Sequence, residues 1–425
     1  MLSESLDRLA LLHPKLIDLG LERTHQLLKK AGSPHLELPP VFHIAGTNGK
    51  GSVSAFLFSI AKQLGLKTHC YTSPHLCRFN ERIRIANKLI DDEALLQVLD
   101  EVEKLNQNRP ITFYEITTVA AFMAFSRMPA DLLILETGLG GRLDSTNVIE
   151  NPLASIITPI ARDHEHFLGS ELTQIAGEKA GIIKKNVPVI SASQTKEVEE
   201  TLIKKAREMA APIFFEGADF IWEQISTGEV KLECKNRVFT LPKPSLIGPH
   251  QIQNAALAAA SIIYSDNFTP LDDRLFSGIG FAKWPGRVQF IDQGTLLNYR
   301  DARPIWIDGA HNSHGATALS TSLAQITDEK WTLIAGMLNT RKPGDVFLPL
   351  KSLTSEIFTI AIPGQTASLS AQELSDICQD LGIKANAKSS LSEALSATSE
   401  SEFVVICGSL YLAGHALLLN DTLPE

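Results

Sequence analysis

Apolar and polar positions change rhythm along this chain, and the changes predict its elements. Leu2–Leu12 and Leu21–Lys30 carry apolar side chains at helical spacing and predict two amphipathic helices. From Val41 onward, short all-apolar runs alternate with helical patterns. Val41–Ala45, Thr68–Thr72, Leu132–Thr137, Ala154–Thr158, Val187–Ala192 and Pro212–Phe215 read as buried strands. Between them lie predicted helices such as Ser52–Leu64, Asp92–Asn106 and Thr117–Arg127. That order implies a mostly parallel sheet with helices on both faces. Phe220–Leu241 is richer in β-formers and reads as a hairpin excursion, and Asn254–Tyr264 as an alanine-rich helix.

Trp284-Pro285-Gly286-Arg287 then breaks the pattern with a Pro-Gly pair. A second alternation follows through Ile305–Asp308, Ala316–Gln325, Thr332–Ala335, Glu356–Ile360, Ala371–Leu381, Phe403–Cys407 and Leu410–Leu419. The expected fold class is therefore α/β with two domains. Residues 1–286 would form a P-loop-type, mostly parallel sheet domain, and residues 287–425 a smaller Rossmann-like domain. Open parallel sheets bind ligands at the carboxyl ends of their strands, so the expected site lies in the cleft between the two.

Composition narrows the class. The length of 425 residues supports two domains, and 44% hydrophobic with 20% charged residues describes a folded globular chain. A formal charge of −9 without any basic run argues against general nucleic-acid or membrane-surface binding. Five scattered cysteines without a CxxC spacing point to reduced thiols in a cytoplasmic enzyme. Asp7, Arg8, His13 and Lys15 interrupt any signal-peptide core, and no solenoid repeat is visible.

Candidate chemistry gathers behind predicted strand ends. Gly46-Thr47-Asn48-Gly49-Lys50-Gly51-Ser52 joins the first strand to a helix. Backbone N–H groups of such a turn point at whatever lies over the helix N-terminus, which suits phosphate. Lys50 would add a point charge and Ser52 a hydroxyl, although the strict G-x-x-x-x-G-K-[ST] spacing is not met. Glu136 leaves a buried strand at the same edge and is a candidate ligand for a hard cation; the alternative is a carboxylate neutralised by Arg142. In Arg162-Asp163-His164-Glu165-His166, one histidine could face a metal, or the stretch is a solvated loop. Ser73 could coordinate through its hydroxyl or begin a Ser-Pro turn. Lys179 adds charge, Arg287 could reach phosphate, and Asp308 sits where a strand-end carboxylate holds a ribose hydroxyl; the last two also read as loop residues.

These motifs, taken in order, resemble the folylpolyglutamate synthases of the Mur ligase superfamily, in particular the bacterial bifunctional dihydrofolate/folylpolyglutamate synthase family. The resemblance rests on Ile17–Arg23, Gly46–Ser52, Thr72–Leu76, Thr112–Glu115, Leu135–Asn147, Asp163-His164, Glu178–Ile182, His250-Gln251-x-x-Asn254, Trp284–Arg287, Asp308–Asn312 and Cys407–Ser409, and covers nearly the whole chain. It implies ATP-dependent amide ligation of L-glutamate to dihydropteroate and to folates through an acyl phosphate. Gly49, Lys50, Gly51 and Ser52 would hold ATP phosphates, with Asn254, Arg287 and Asp308 as further nucleotide-binding residues. Ser73, Glu136 and His164 would be magnesium ligands, and Lys179 the position of a carbamylated lysine serving a second magnesium ion. Lys50, Glu136, His164 and Lys179 would thus carry catalysis. Asp18, Leu19, Gly20, Leu21, Thr112, Phe113, Tyr114, Arg142, Leu143, Asp144 and His311 would bind substrate. The family further implies a cytoplasmic monomer with small-molecule partners only. Asn339-Thr340-Arg341-Lys342 departs from the Asp-Lys-Asp common in relatives. Cell-wall precursor ligases fit less well, because only about forty residues precede the phosphate loop, which leaves no room for a UDP-binding domain. A P-loop kinase or nucleotide switch is the rival from another class.

Overall fold

The computed structural model describes residues 2–15, 17–398 and 402–424; Leu16, in the segment joining the first two predicted helices, lies outside them. Two compact units result. The first comprises Met1–His75, Phe79–Ser245 and Ile252–Lys283, and the second Leu76–Arg78, Leu246–Gln251 and Trp284–Glu425. The division between Lys283 and Trp284 precedes the expected boundary at Arg287, and two short early segments go with the second unit. Periodicity could not reveal those segments, because neither is long enough to have a period.

The first unit is built on an eight-stranded sheet of β1 (Val41–Ala45), β2 (Thr68–Tyr71), β3 (Ile83–Ile85), β4 (Lys88–Leu89), β5 (Leu132–Glu136), β6 (Ala154–Ile157), β7 (Val189–Ser191) and β8 (Ile213–Phe215). Its order is β4-β3-β2-β5-β1-β6-β7-β8. From β2 to β8 every neighbouring pair is parallel, while β3 and β4 extend one edge antiparallel. The central strands β1, β5 and β6 are buried along their whole length, as strands covered on both faces must be. Along β5, Leu133 and Leu135 share a cluster with Val119, Phe122 and Met123 of the helix Phe113–Ser126. That helix begins ahead of the predicted Thr117. Thr112 caps it, and Thr112 and Glu115 form a reciprocal capping box that fixes the start.

The excursion at Phe220–Leu241 is a separate three-stranded antiparallel sheet, β9 (Phe220–Gln224), β10 (Val230–Cys234) and β11 (Arg237–Leu241). The second unit carries a six-stranded sheet of β12 (Gln289–Ile291), β13 (Ile305–Ile307), β14 (Trp331–Ala335), β15 (Thr354–Thr359), β16 (Ala385–Ala387) and β17 (Val404–Cys407), in the order β12-β13-β17-β14-β15-β16. Only the β12–β13 pair is antiparallel. Apolar clusters cover both of its faces, one around Trp331, Leu333 and Phe347 and one around Ile334, Ile406 and Leu412. Both sheets thus have the expected two-domain α/β character. Among the described residues no helix is long and apolar enough to cross a membrane.

Candidate active site

In the first sheet Ile44 of β1 is the register partner of Glu136 of β5, and Ala45 that of Ile157 of β6. Three strands therefore end together, and the glycine turn, Glu136 and Thr158 share one edge. The turn is clipped to the segment after β6: the Thr47 and Asn48 N–H groups donate to the Pro159 carbonyl, and the Thr47 hydroxyl exchanges hydrogen bonds with Ala161. Two glycines make this approach possible. A Cβ on Gly46 would lie 1.8 Å from Thr158 Oγ1, and one on Gly49 2.6 Å from Asn254 Oδ1. Gly49 also has φ of 94° and caps the helix Lys50–Gln63 without a side chain. The first N–H groups of that helix, whose start includes Gly51 and the buried Ser52, are free of side-chain caps and suited to an anion.

Two lysines converge on this turn. Lys50 Nζ donates to the Gly46 and Thr47 carbonyls and stands 4.0 Å from Glu136 Oε1. Lys179, at the end of the helix Leu172–Lys179, is buried and donates to the Gly46 carbonyl over 2.6 Å. Burial, and after it the neighbouring Lys50, brings its ammonium down to about 7, against the weaker pull of Asp163 and Asp144. Glu136 is itself buried, with the Lys50 ammonium 4.0 Å from its Oε1. The alternative partner is corrected by the structure: Arg142 pairs with Glu178 at 2.8 Å, and its backbone N–H also donates to the Glu178 carbonyl.

Other predicted residues divide by what already holds them. Ser73 is half-buried two residues beyond β2, which runs beside β5. His164 is exposed in a left-handed conformation, φ 52°, its Nε2 4.0 Å from Asp163 Oδ1. Asp144 is buried, with one oxygen accepting from the Gly138 and Leu139 N–H groups and the other from Thr146. These bonds shape the Gly138–Asn147 loop. Thr112 likewise commits its hydroxyl to Glu115. Phe113 packs edge-on against Phe79, and Tyr114 is half-buried beneath Gly138, where a Cβ would come within 2.4 Å of its ring. Leu19 and Leu21 each lean on an apolar cluster, Leu19 on the one that includes Ile160 and Leu21 on the one that includes Leu28, with Gly20 between them and Leu143 half-buried.

In the second unit, Asp308 leaves β13 and is buried. Its carboxylate accepts from the Val288 and Ala310 N–H groups at 2.8 Å each. Burial raises it above the ordinary carboxylate range against the opposing pull of Arg287. Arg287 lies beside Gly309, and His311 Nδ1 is 2.8 Å from the Gly309 carbonyl. Asp308 thus ties the Pro-Gly turn to β13.

Sequence reading missed Thr158 as a neighbour of the turn, and the Arg23–Glu115 contact across 92 positions. Only the last left a local trace, the Thr-x-x-Glu capping pattern at Thr112.

Fold and site together define a Mur-type ATP-dependent ligase. Residues 44–262 match the Mur ligase middle domain, and residues 296–419 the dihydrofolate synthetase C-terminal domain. The chain is 34% identical over 414 residues to the dihydrofolate synthase/folylpolyglutamate synthase of Bacillus subtilis, covering 92% of this chain and 93% of that one. A solved structure of Escherichia coli FolC in complex with DHPP and ADP superposes with a TM-score of 0.88 at 29% identity, covering 99% of this chain and 97% of that one. The bifunctional enzyme of Yersinia pestis complexed with AMPPNP and Mn ion gives 0.87 at 29% identity, covering 98% and 97%. The chain belongs to the dihydrofolate synthase/folylpolyglutamate synthase family.

Proposed function

We propose that this protein joins L-glutamate to dihydropteroate, and to tetrahydrofolate and its polyglutamates, at the expense of ATP. The observation that carries the reading is the convergence of Lys50, Lys179 and Glu136 on a glycine turn at a helix N-terminus. The chemistry must bring a carboxylate against a triphosphate, and the two anions repel. Fixed positive charge is therefore the first requirement. The acceptor carboxylate attacks the γ-phosphorus, an acyl phosphate forms and ADP leaves. The glutamate amine then displaces phosphate and loses a proton. The N–H groups at the start of the helix Lys50–Gln63 and the Lys50 ammonium hold the phosphates, and the Arg287 guanidinium supplies a further anchor. Asn254, packed close against Gly49, is a further nucleotide-binding residue in this reading.

Among the described residues no cluster of three or more His, Cys, Asp or Glu forms a ready metal cage. Magnesium needs none, since it is held by one or two carboxylates together with substrate phosphates and water. Glu136 offers such a carboxylate, with the Ser73 hydroxyl and the His164 imidazole as further donors, in line with the metal and nucleotide analogue of the Yersinia pestis relative. When bound, the ion neutralises charge on the transferring phosphoryl group. Lys179 is proposed to carry a carbamate. Only the free-base amine attacks CO2, forming an N–C bond and releasing a proton, and an ammonium lowered to about 7 supplies that base near neutrality. The acceptor would lie against Asp18–Leu21, Thr112–Tyr114 and Arg142–Asp144, with His311 as a further substrate-binding residue, and the protein would work as a cytoplasmic monomer.

The test supplies ATP, magnesium and labelled glutamate with dihydropteroate or tetrahydrofolate in separate reactions. Incorporation with both acceptors is expected, and with neither would reject the reading. Lys50→Ala is expected to lose at least a hundredfold in rate, about 3 kcal/mol of charge stabilisation, while its circular dichroism stays that of a folded protein. Sedimentation should show a single 46.4 kDa species.

A further inference from the structure

Three stretches assigned above to the acceptor are distant in sequence, yet the first turn of the helix Glu22–Lys30 touches the surroundings of all three. Arg23 faces two ways. Its Nε contacts both oxygens of Glu115, at 3.1 and 3.0 Å, while Nη1 lies 2.9 Å from Asp18 Oδ2 and Nη2 donates to the Asp18 carbonyl at 2.6 Å. Glu115 is only 3% exposed, and its Oε2 also accepts from the Thr112 N–H and hydroxyl, 2.8 Å each. Next door, the Thr24 hydroxyl donates to Ser145, in the loop that Asp144 folds and whose Gly138 rests on the Tyr114 ring. Lys15 and His13 flank the Asp18 carboxylate at 3.6 Å, so the segment presents no uncompensated negative charge to an anionic acceptor.

We infer that Arg23 and Glu115 are positioning residues for the pteroate-bearing acceptor, one ion pair, half-buried on the Arg23 side, that sets the Asp18–Leu21 segment against the Thr112–Tyr114 helix start. The inference rests on the acceptor reading proposed above. It requires neither side chain to touch substrate. A guanidinium is needed because one planar group must serve two carboxylates along different edges, which a lysine point charge cannot do. Glu115 is needed as an anion, since the capping box alone would accept glutamine. That difference separates positioning from plain folding.

Glu115→Gln keeps the cap and removes the charge facing Arg23; Arg23→Lys keeps the charge and removes the fork. In the holoenzyme with ATP and magnesium, each variant is expected to raise the KM for dihydropteroate and tetrahydrofolate at least fivefold. The KM for ATP and for glutamate should stay within twofold of the parent, as should kcat at saturating acceptor. Equilibrium binding of dihydropteroate, followed by its own fluorescence, should weaken in parallel and gives a second readout where turnover is low. An acceptor KM within twofold of the parent in both variants would overturn the inference, as would a uniform change in all three KM values accompanied by a lowered Tm. Absence of glutamate incorporation by the parent protein would instead reject the acceptor reading itself.

Discussion

Placing two ammonium groups on the carbonyls of one turn is electrostatically costly, and Lys179 shows the consequence: burial and Lys50 together make its proton easy to lose. If the resulting amine carries a carbamate, 13C-labelled bicarbonate should give a carbamate resonance in the parent protein and none in Lys179→Met. Ligation by that variant should fall a hundredfold or more. A labelled resonance that persists in Lys179→Met would place the carbamate elsewhere. A second residue makes its prediction through acid. His43 is buried in β1 with Nε2 2.9 Å from Thr146 Oγ1, and burial, then Lys184, lowers it to about 3. The folded ring stays neutral where an unfolded one, near 6.5, takes up a proton. Unfolding therefore binds a proton between those values, and stability falls as pH drops from 6.5 toward 3, by about 1.4 kcal/mol per pH unit. Urea melts at pH 7, 6 and 5 should show His43→Gln losing less stability on acidification than the parent, by one proton's slope.

At the scale of elements, what the chain declared in advance was set by length and burial. Runs such as Val41–Ala45 and Leu132–Glu136 are apolar throughout because helices cover both faces, and they stood out as strands. The antiparallel edge Ile83–Ile85 with Lys88–Leu89, and the outer strands Gln289–Ile291 and Ala385–Ala387, are too short to display a period of two and went unread. The helix at Phe113 was placed late because its first turn is bounded by a cap and not by an apolar rhythm. Of the site, the glycine turn and the strand-end glutamate were legible from residue order. The burial of Lys179 against the turn was not legible, since burial of one lysine leaves no mark in a single sequence. Capping also offers a clean energetic test. Ser370 and Glu373 form a capping box on the exposed start of Ala371–Asp380. Ser370→Ala should cost about 1 kcal/mol in chemical denaturation and leave ligation unchanged.

For the whole molecule, the second unit is assembled from pieces of chain lying on both sides of most of the first. Leu76–Arg78 is more than a passing strap. A Cβ on Gly414 would lie 2.0 Å from the Leu76 carbonyl oxygen, and Cys77 Sγ contacts the Gly414 carbonyl at 3.4 Å. A fragment of residues 284–425 lacks this seam and Leu246–Gln251 as well. Its amides in Val404–Cys407 and Leu410–Leu419 are expected to exchange with deuterium faster than in the full chain. Equal protection would show that the continuous stretch is self-sufficient.

The same seam has a consequence during synthesis. Leu76–Arg78 leaves the ribosome hundreds of residues before Leu410–Leu419, so its contact with Gly414 can form only after that helix has been synthesised. A product cut short before Leu410–Leu419 would leave that particular contact unmade.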